Sequence, residues 1–234
     1  MKIQTISTRI FTAGEKLLPF ICAHLKKLPE NSVLVVTSKI VALSENRVVV
    51  AQTQTEKYKY IKLESEFALK TKYVWLTLKD KMLMANAGVD ESNANGKLIL
   101  LPRDSFLSAH KLRLQLKKFY KIKNLGVLIT DSRVLPCRSG VVGVALGYAG
   151  FRGLFDYRGQ PDIFGRLLKM SQTNIADGLA ASAVVCMGEG KEQRPLALLT
   201  KTPAVFCEKI NSAELQIDIN DDMYFPLLPT KMRK

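Results

Sequence analysis

The feature that most constrains the fold is an alternation of short apolar runs with segments of helical spacing. β-branched and apolar runs, each no longer than one strand, recur along most of the chain. They predict strands at residues 2–7, 33–41, 47–51, 73–78, 97–101, 125–130, 141–146, 196–200 and 204–207. Apolar residues at helical spacing predict helices at 14–27, 63–69, 102–120 and 174–187. This mixture predicts an α+β fold of mixed sheets with helices, which is compatible with two intimately packed subdomains.

The chain shows no internal repeat and no clear linker. A polar, lysine-rich loop is expected at 52–62, and a long glycine-rich loop at 148–165. We expect the main body to span 1–210 and a C-terminal extension to span 211–234, ending in the basic residues Lys231, Arg233 and Lys234.

Charge points to anionic partners. The 234 residues carry 35 Lys and Arg against 21 Asp and Glu, a formal net charge of +14. A surplus of this size attracts nucleic acid, acidic lipid, or nucleotides and other phosphorylated small molecules. No apolar run approaches the roughly 18–20 residues of a membrane span, so no membrane association is expected.

Cysteine and histidine usage limits the metal chemistry. The four cysteines form no C-x-x-C pair, and the two histidines cannot complete a zinc knuckle. Free thiols predict a reducing, cytoplasmic location. With so few nitrogen and sulfur donors, any metal ligands should be oxygens, which favours Mg²⁺ or Mn²⁺.

Two acidic segments are candidate metal sites. Residues 86–93 read NAGVDESN and place Asp90 and Asn93 in a turn between two predicted strands. Asp131 and Ser132 follow the apolar strand at 125–130, where a rigid carboxylate and a hydroxyl can hold a hard cation. The alternatives are a solvated turn for the first segment and a helix or turn N-cap for the second.

Two further segments are candidate phosphate sites, since neither a P-loop nor a well-placed G-x-G-x-x-G occurs. Residues 187–194 follow a predicted helix and combine two glycines with Lys191 and Arg194. The alternative is a glycine C-cap followed by a polar loop. Residues 37–39 place Lys39 within an apolar strand, where it either reaches a charged partner or extends from an edge. The basic stretch from Lys111 to Lys123 is expected to be a solvated helix face, with an anion-binding patch as the alternative.

In their order along the chain, these segments resemble one known family, the coenzyme F420-0:L-glutamate ligases, which are γ-glutamyl ligases. The similarity extends from about residue 8 to about residue 200. The matching stretches are TSKIVALSENRVV from Thr37, NAGVDESN from Asn86, LPRDSFLSAHKLR from Leu100, ITDSRVLPCRSG from Ile129, DYRGQPDIFGR from Asp156 and IADGLAASAVVCMGE from Ile175.

The resemblance implies a GTP-dependent ligation within the main body, in the α+β fold of that family and in an intertwined homodimer. The acceptor carboxylate takes the γ-phosphoryl group of GTP, and the amine of L-glutamate then displaces phosphate. It also implies Mg²⁺ or Mn²⁺, with K⁺ as a further candidate ion.

Site residues follow from the same resemblance. Asp90 and Asp131 are implied catalytic residues, and the implied metal ligands are Asp90, Asp131, Ser132 and Glu189. The implied nucleotide contacts are Thr8, Arg9, Ile10, Phe11, Ser38, Lys39, Asn93, Met187, Gly188, Glu189, Gly190, Lys191, Glu192, Gln193 and Arg194.

The chain departs from the family pattern at two places, of which the first supports a catalytically inactive relative and the second leaves the acceptor open. Leu43 stands where the family tends to have a second lysine, and residues 131–138 read DSRVLPCR where the family has DTFGRPWR. The stretch from Gly147 is similar to a bacterial subgroup suspected of adding γ-glutamates to folate. The acceptor is therefore coenzyme F420-0 or a folate. The alternatives to a ligase are a basic nucleic-acid-binding protein and a catalytically inactive nucleotide-binding relative.

Overall fold

The computed structural model describes residues 1–229, and the basic end of the predicted C-terminal extension lies outside them. The helices are α1 (Leu17–His24), α2 (Ser38–Ser44), α3 (Gln54–Leu63), α4 (Ser105–Tyr120) and α5 (Ile175–Met187). The strands are β1 (Lys2–Ile6), β2 (Ser32–Thr37), β3 (Val48–Val49), β4 (Phe67–Lys70), β5 (Trp75–Lys79), β6 (Met82–Ala85), β7 (Leu98–Ile99), β8 (Leu125–Arg133), β9 (Val142–Ala149), β10 (Leu154–Asp156), β11 (Gln172–Asn174) and β12 (Leu196–Thr200). The α+β class is confirmed.

A five-stranded sheet in the order β1-β12-β2-β8-β9 forms the centre. Strands β2 and β8 pair in parallel, from Ser32 opposite Leu125 to Thr37 opposite Thr130, and the other neighbours in this sheet are antiparallel. The parallel pairing ends at Thr37 and Thr130, at one edge of this sheet. Ser38 and Asp131 each follow these last paired residues by one position, so the register brings them together.

Alternation along the strands divides the core into two layers. Leu34 and Val36 of β2 pack with α1 and α4, whereas Val33 and Val35 face the small residues of α5. Strand β2 is buried on both faces, as expected of a strand in the middle of a sheet covered by helices on both sides.

Three small sheets lie outside the central one. Strands β4, β5 and β6 form an antiparallel sheet, β3 pairs with β7, and β10 pairs with β11. The long connection from β2 to β8 contains two of these sheets and the NAGVDESN segment.

Several predicted elements are wrong. The strand predicted at 33–41 ends at Thr37, and residues 38–44 form α2. A short apolar run with β-branched residues does not by itself distinguish a strand from a buried helix. The loop predicted at 52–62 is largely α3, whose N-cap Thr53 accepts a hydrogen bond from the Glu56 backbone N–H.

Three further predicted elements differ from the structure. The helix predicted at 63–69 is instead the end of α3, a turn and the beginning of β4, and β6 was not predicted. The strand predicted at 204–207 is reduced to a single bridge between Phe151 and Phe206. Asp131 and Ser132 lie inside β8 rather than after it, because pairing with β9 continues through Arg133.

Candidate active site

The first part of the site forms at the end of β2, beside Asp131 of β8. Ser38 begins α2 and is buried, and its hydroxyl donates a hydrogen bond of 3.2 Å to Asp131 Oδ1. Residues 37–39 therefore lie at a strand-to-helix junction rather than within a strand, which corrects the environment predicted for Lys39.

Lys39 connects this junction to the NAGVDESN segment. Its Nζ lies 2.8 Å from Asp90 Oδ2 and donates to the backbone oxygen of Ser92 at 2.8 Å. The Ser92 backbone N–H and hydroxyl both donate to Asp90, at 2.7 and 2.8 Å. Burial alone would raise the pKa of Asp90, but the hydrogen bonds from Lys39 and Ser92 outweigh it and lower that pKa. The Asp90 carboxylate is thus held ionised.

The glycine-containing loop after α5 contacts both acidic segments. Ser132 Oγ donates to Glu189 Oε1 at 2.6 Å, and Asn93 Nδ2 donates to Gly190 O at 3.4 Å. The loop also contacts the central sheet, where the backbone N–H of Thr37 in β2 donates a hydrogen bond of 3.0 Å to Pro195 O. Four segments that are distant in sequence therefore meet at one edge of the sheet.

Within this loop the residues differ in their surroundings. Gly188 ends α5 with a φ of +84°, as the C-cap alternative expects, and the Glu192 carboxylate accepts a hydrogen bond from the Gly190 N–H. Met187 is buried in the core beneath α5. Lys191, Gln193 and Arg194 are exposed.

The N-terminal candidate residues are only partly brought to the site. The Thr8 N–H donates to Gln193 O at 3.0 Å, which places Thr8 against the loop. Phe11 belongs to the core and packs edge-on against Phe20, and Arg9 pairs with Glu15. Ile10 is exposed. The structure gives Phe11 a packing contact, which the sequence interpretation did not include.

Arg133 and Ser92 contact the candidate carboxylates and were missed from the sequence. Arg133 Nη1 pairs with Asp131 Oδ2 and donates to Ser132 O at 2.9 Å. The Arg133 side chain is 9% exposed, so its charge is balanced chiefly by Asp131. Strand alternation predicts only that Arg133 shares a face with Asp131, and the contact itself depends on the extension of β8.

The oxygen donors are of the type that Mg²⁺ and Mn²⁺ prefer. Within residues 1–229, however, no three Asp, Glu, His or Cys side chains are grouped closely enough to hold a metal ion. Asp90 is paired with Lys39, Asp131 with Arg133, and Glu189 with Ser132. The donors fit a hard cation chemically, and binding one would require these pairs to open.

The basic stretch from Lys111 to Lys123 is mostly the expected solvated face, since Lys111, Lys118, Lys121 and Lys123 are exposed. Arg113 and Lys117 depart from it. Arg113 is 1% exposed and donates two hydrogen bonds to Glu208, which also pairs with Lys117. The charges of Arg113 and Lys117 are therefore balanced by Glu208 within the protein.

None of the helices that the structure describes has the length and apolar character to cross a bilayer. Cys22, Cys137, Cys186 and Cys207 are all free thiols.

Comparison with known proteins identifies the class as a ligase. A sequence model of the F420-0:gamma-glutamyl ligase family matches residues 5–201, and the chain belongs to that family. The match includes every segment of the candidate site, which runs from Thr8 to Arg194, and it confirms the resemblance found in the sequence.

Three relatives share one name, Coenzyme F420:L-glutamate ligase. A Coenzyme F420:L-glutamate ligase of Methanococcus maripaludis strain C6 is 34% identical over 199 residues, covering 77% of this chain and 80% of the relative. The ligase of Archaeoglobus fulgidus is 31% identical over 204 residues, covering 80% and 81%. The ligase of Methanocaldococcus jannaschii is 42% identical over 121 residues, covering 52% and 48%.

Proposed function

We propose that this protein is a GTP-dependent γ-glutamyl ligase that joins L-glutamate to the carboxylate of coenzyme F420-0 or of a folate. The observation that carries the proposal is the meeting of three polar pairs at one sheet edge. They are Ser38 with Asp131, Lys39 with Asp90, and Ser132 with Glu189. The names of the relatives support glutamate ligation. GTP as co-substrate rests on the resemblance of the site segments to the family.

The proposed chemistry has two steps. An oxygen of the acceptor carboxylate attacks the γ-phosphorus of GTP, the bond to the β-phosphate oxygen breaks, and GDP leaves. The product is an acyl phosphate. The amine of L-glutamate then attacks the acyl carbon, phosphate leaves with the bonding electron pair, and the amine loses a proton as the amide forms.

Cations of the chain suit the first step, because phosphoryl transfer depends mainly on positioning and on neutralising charge. Lys39 is at the beginning of α2 and supplies one positive charge beside Asp90. Ser38 and Asn93 contribute a hydroxyl and an amide, and residues 187–194 contribute backbone N–H groups and cations for the phosphates.

Asp90, Asp131, Ser132 and Glu189 are the residues that would hold Mg²⁺ or Mn²⁺. A bound divalent cation there supplies positive charge to phosphate oxygens. In the absence of such an ion, Lys39 and Arg133 carry the charge that balances Asp90 and Asp131.

We further propose a homodimer and a K⁺ requirement, both from the family resemblance. Light scattering tests the homodimer, and titration of activity with K⁺ tests the ion requirement.

The proposal is tested by acceptor-dependent release of GDP. The purified protein is incubated with GTP, Mn²⁺, L-glutamate and either coenzyme F420-0 or a folate, and GDP and the glutamylated product are measured. We expect GDP release to depend on one of the acceptors and to match product formation. GDP release that is independent of both acceptors, or no release with either, would contradict a ligase.

The same assay separates the two alternatives. A nucleic-acid-binding protein would bind DNA or RNA in a manner that weakens steeply with salt, without nucleotide chemistry. An inactive relative would bind GTP and release no GDP. Leu43, which supported this second alternative, lies in α2 and packs against the core.

A further inference from the structure

A large cavity lies beside the candidate active site. Its volume is about 1400 Å³, and its walls come from β6, the segment after β8, β9 and the C-terminal extension. The lining includes Met82, Leu83, Leu135, Leu146 and Leu215. Leu83 and Leu135 are 40% and 44% exposed, so the cavity presents apolar side chains to a ligand.

One wall of this cavity is shared with the site already described. Arg133 lines the cavity and also pairs with Asp131, which Ser38 contacts on its other oxygen. A molecule in the cavity that reached Arg133 would therefore lie next to the carboxylate proposed for the phosphoryl-transfer site.

Arg133 has hydrogen-bonding capacity that residues 1–229 do not use. Nη1 is satisfied by Asp131 and Ser132, but within that range Nη2 donates only to the thioether sulfur of Met84, at 3.4 Å. Nε is buried, and no atom of residues 1–229 accepts a hydrogen bond from it. A guanidinium has five N–H donors in a planar fork that matches a carboxylate. Buried polar groups are normally paired, so this spare capacity points to a ligand.

We infer that this cavity binds the acceptor, with its flat aromatic ring against the apolar walls and its carboxylate on Arg133. The inference rests on the proposed function, because it gives that reaction its acceptor position. Apolar and aromatic pockets with a few polar groups typically hold ligands in volumes of about 300–1000 Å³, so this cavity has room for a ring system and its tail. Residues 133–138, which belong to the segment that departs from the family pattern, line one side of this cavity and would influence acceptor choice.

The first test separates acceptor binding from nucleotide binding. Leu135→Glu places a carboxylate in the cavity, and Leu114→Glu is the control, since Leu114 is 48% exposed on α4 and does not line the cavity. The two ring compounds tested as acceptors are coenzyme F420-0 and folic acid, and their binding is measured by ligand fluorescence or calorimetry. Nucleotide binding is measured with a fluorescent GTP analogue. We expect Leu135→Glu to weaken binding of the preferred ring compound by about tenfold or more, because it sets like charges together in an apolar site. Nucleotide binding should be unchanged, and Leu114→Glu should change neither.

The second test addresses Arg133. The wild type should bind the ring compound with a free carboxylate about tenfold more tightly than the same compound with that carboxylate amidated. Arg133→Gln should abolish this preference, and Arg133→Lys, which keeps the charge but not the fork, should restore only part of it. A general folding defect would instead weaken the binding of the free and the amidated compound equally.

The outcomes distinguish the inference from the function it deepens. If the wild type forms glutamylated product and Leu135→Glu leaves the acceptor KM unchanged, the ligase stands and the cavity assignment is overturned. If the wild type binds a ring compound in this cavity but forms no product, the function fails and the binding site stands. If Leu135→Glu leaves acceptor binding unchanged and converts a dimer to a monomer, the cavity is a surface between two copies and the inference is overturned.

Discussion

Lys39 Nζ lies 2.8 Å from Asp90 Oδ2, across 51 positions of sequence, and joins the first turn of α2 to the NAGVDESN segment. Asp90 is partly buried and has its pKa lowered, because this ion pair and the Ser92 hydrogen bonds outweigh the effect of burial. Lys39 therefore helps to keep a proposed metal ligand in its charged form.

Replacing Lys39 by methionine should raise the pKa of Asp90, because burial then acts with less opposition. In the wild type the folded-state pKa of Asp90 lies below its unfolded value, so this contribution to stability is present above about pH 4 and is lost as the pH falls further. The difference in unfolding free energy between wild type and Lys39→Met should therefore narrow below that pH. Urea unfolding from pH 3 to pH 7 measures it.

Lys57→Met is the matched control, because Lys57 forms a neighbouring ion pair of 2.9 Å with Glu91 and does not contact Asp90. GTP affinity should fall about tenfold in Lys39→Met, because a charge-assisted contact to phosphate is lost. It should change little in Lys57→Met. Equal losses in both variants would contradict a specific role for Lys39.

Asp131→Asn should reduce turnover supported by Mg²⁺ or Mn²⁺ by at least about tenfold, because one charged ligand becomes neutral while the shape is kept. The hydrogen bond from Ser38 and the contact with Arg133 involve this carboxylate, so protein stability is measured in parallel. Asp221→Asn, an exposed position outside the site, serves as the control. Turnover equal to that of the wild type would remove Asp131 from the site.

Glu208→Gln should destabilise the protein by about 0.5–1.5 kcal/mol, because it weakens the carboxylate pairing of the buried Arg113 while solvent screens the exposed side of Glu208. Hydrogen bonds from Arg113 and then Lys117 lower the pKa of Glu208 to about 2, below its unfolded value. The stabilisation is thus complete above about pH 5 and is lost as the pH falls towards 2. Thermal unfolding of both proteins at pH 3 and pH 7 should show the larger difference at pH 7.

Two glycines near α5 should respond to alanine in opposite directions. A Cβ on Gly143 in β9 would lie 2.6 Å from Ala180 O, so Gly143→Ala should lower the free energy of unfolding by about 1–3 kcal/mol. A Cβ on Gly178 would meet nothing within 4 Å, so Gly178→Ala should raise it by about 0.5–1 kcal/mol through helix propensity. Chemical unfolding of the two variants measures both effects, and changes of the same sign would contradict this packing.

The sequence predicts the long, strongly patterned elements and fails where an apolar run is short. Strand β8 and helix α5 follow directly from their apolar patterns, and Asn174 caps α5 as an N-cap residue should. Helix α2 was mistaken for a strand because Ile40 and Val41 are β-branched. In the folded protein both residues pack in the core, and tertiary packing overrides that local preference.

The candidate site shows the same division. Asp90 and Asp131 are recognisable from their local motifs, but the contacts that join them to Lys39 and Arg133 depend on strand register and on the extension of β8. The spare donors of Arg133 are visible only once Met84 and Asp131 are placed around it. Periodicity carries no information about such distant pairings.

The connection between the parallel neighbours β2 and β8 has a consequence for how this architecture can diversify. That crossover carries Asp90, Asn93 and the strand that forms one wall of the cavity, while the five-stranded sheet supplies Asp131. Insertions or deletions in the crossover that leave Asp90 and Asn93 in place can reshape the cavity without disturbing the hydrogen bonds of the five-stranded sheet. The proposed acceptor position can therefore diversify while the proposed phosphoryl-transfer residues keep their places.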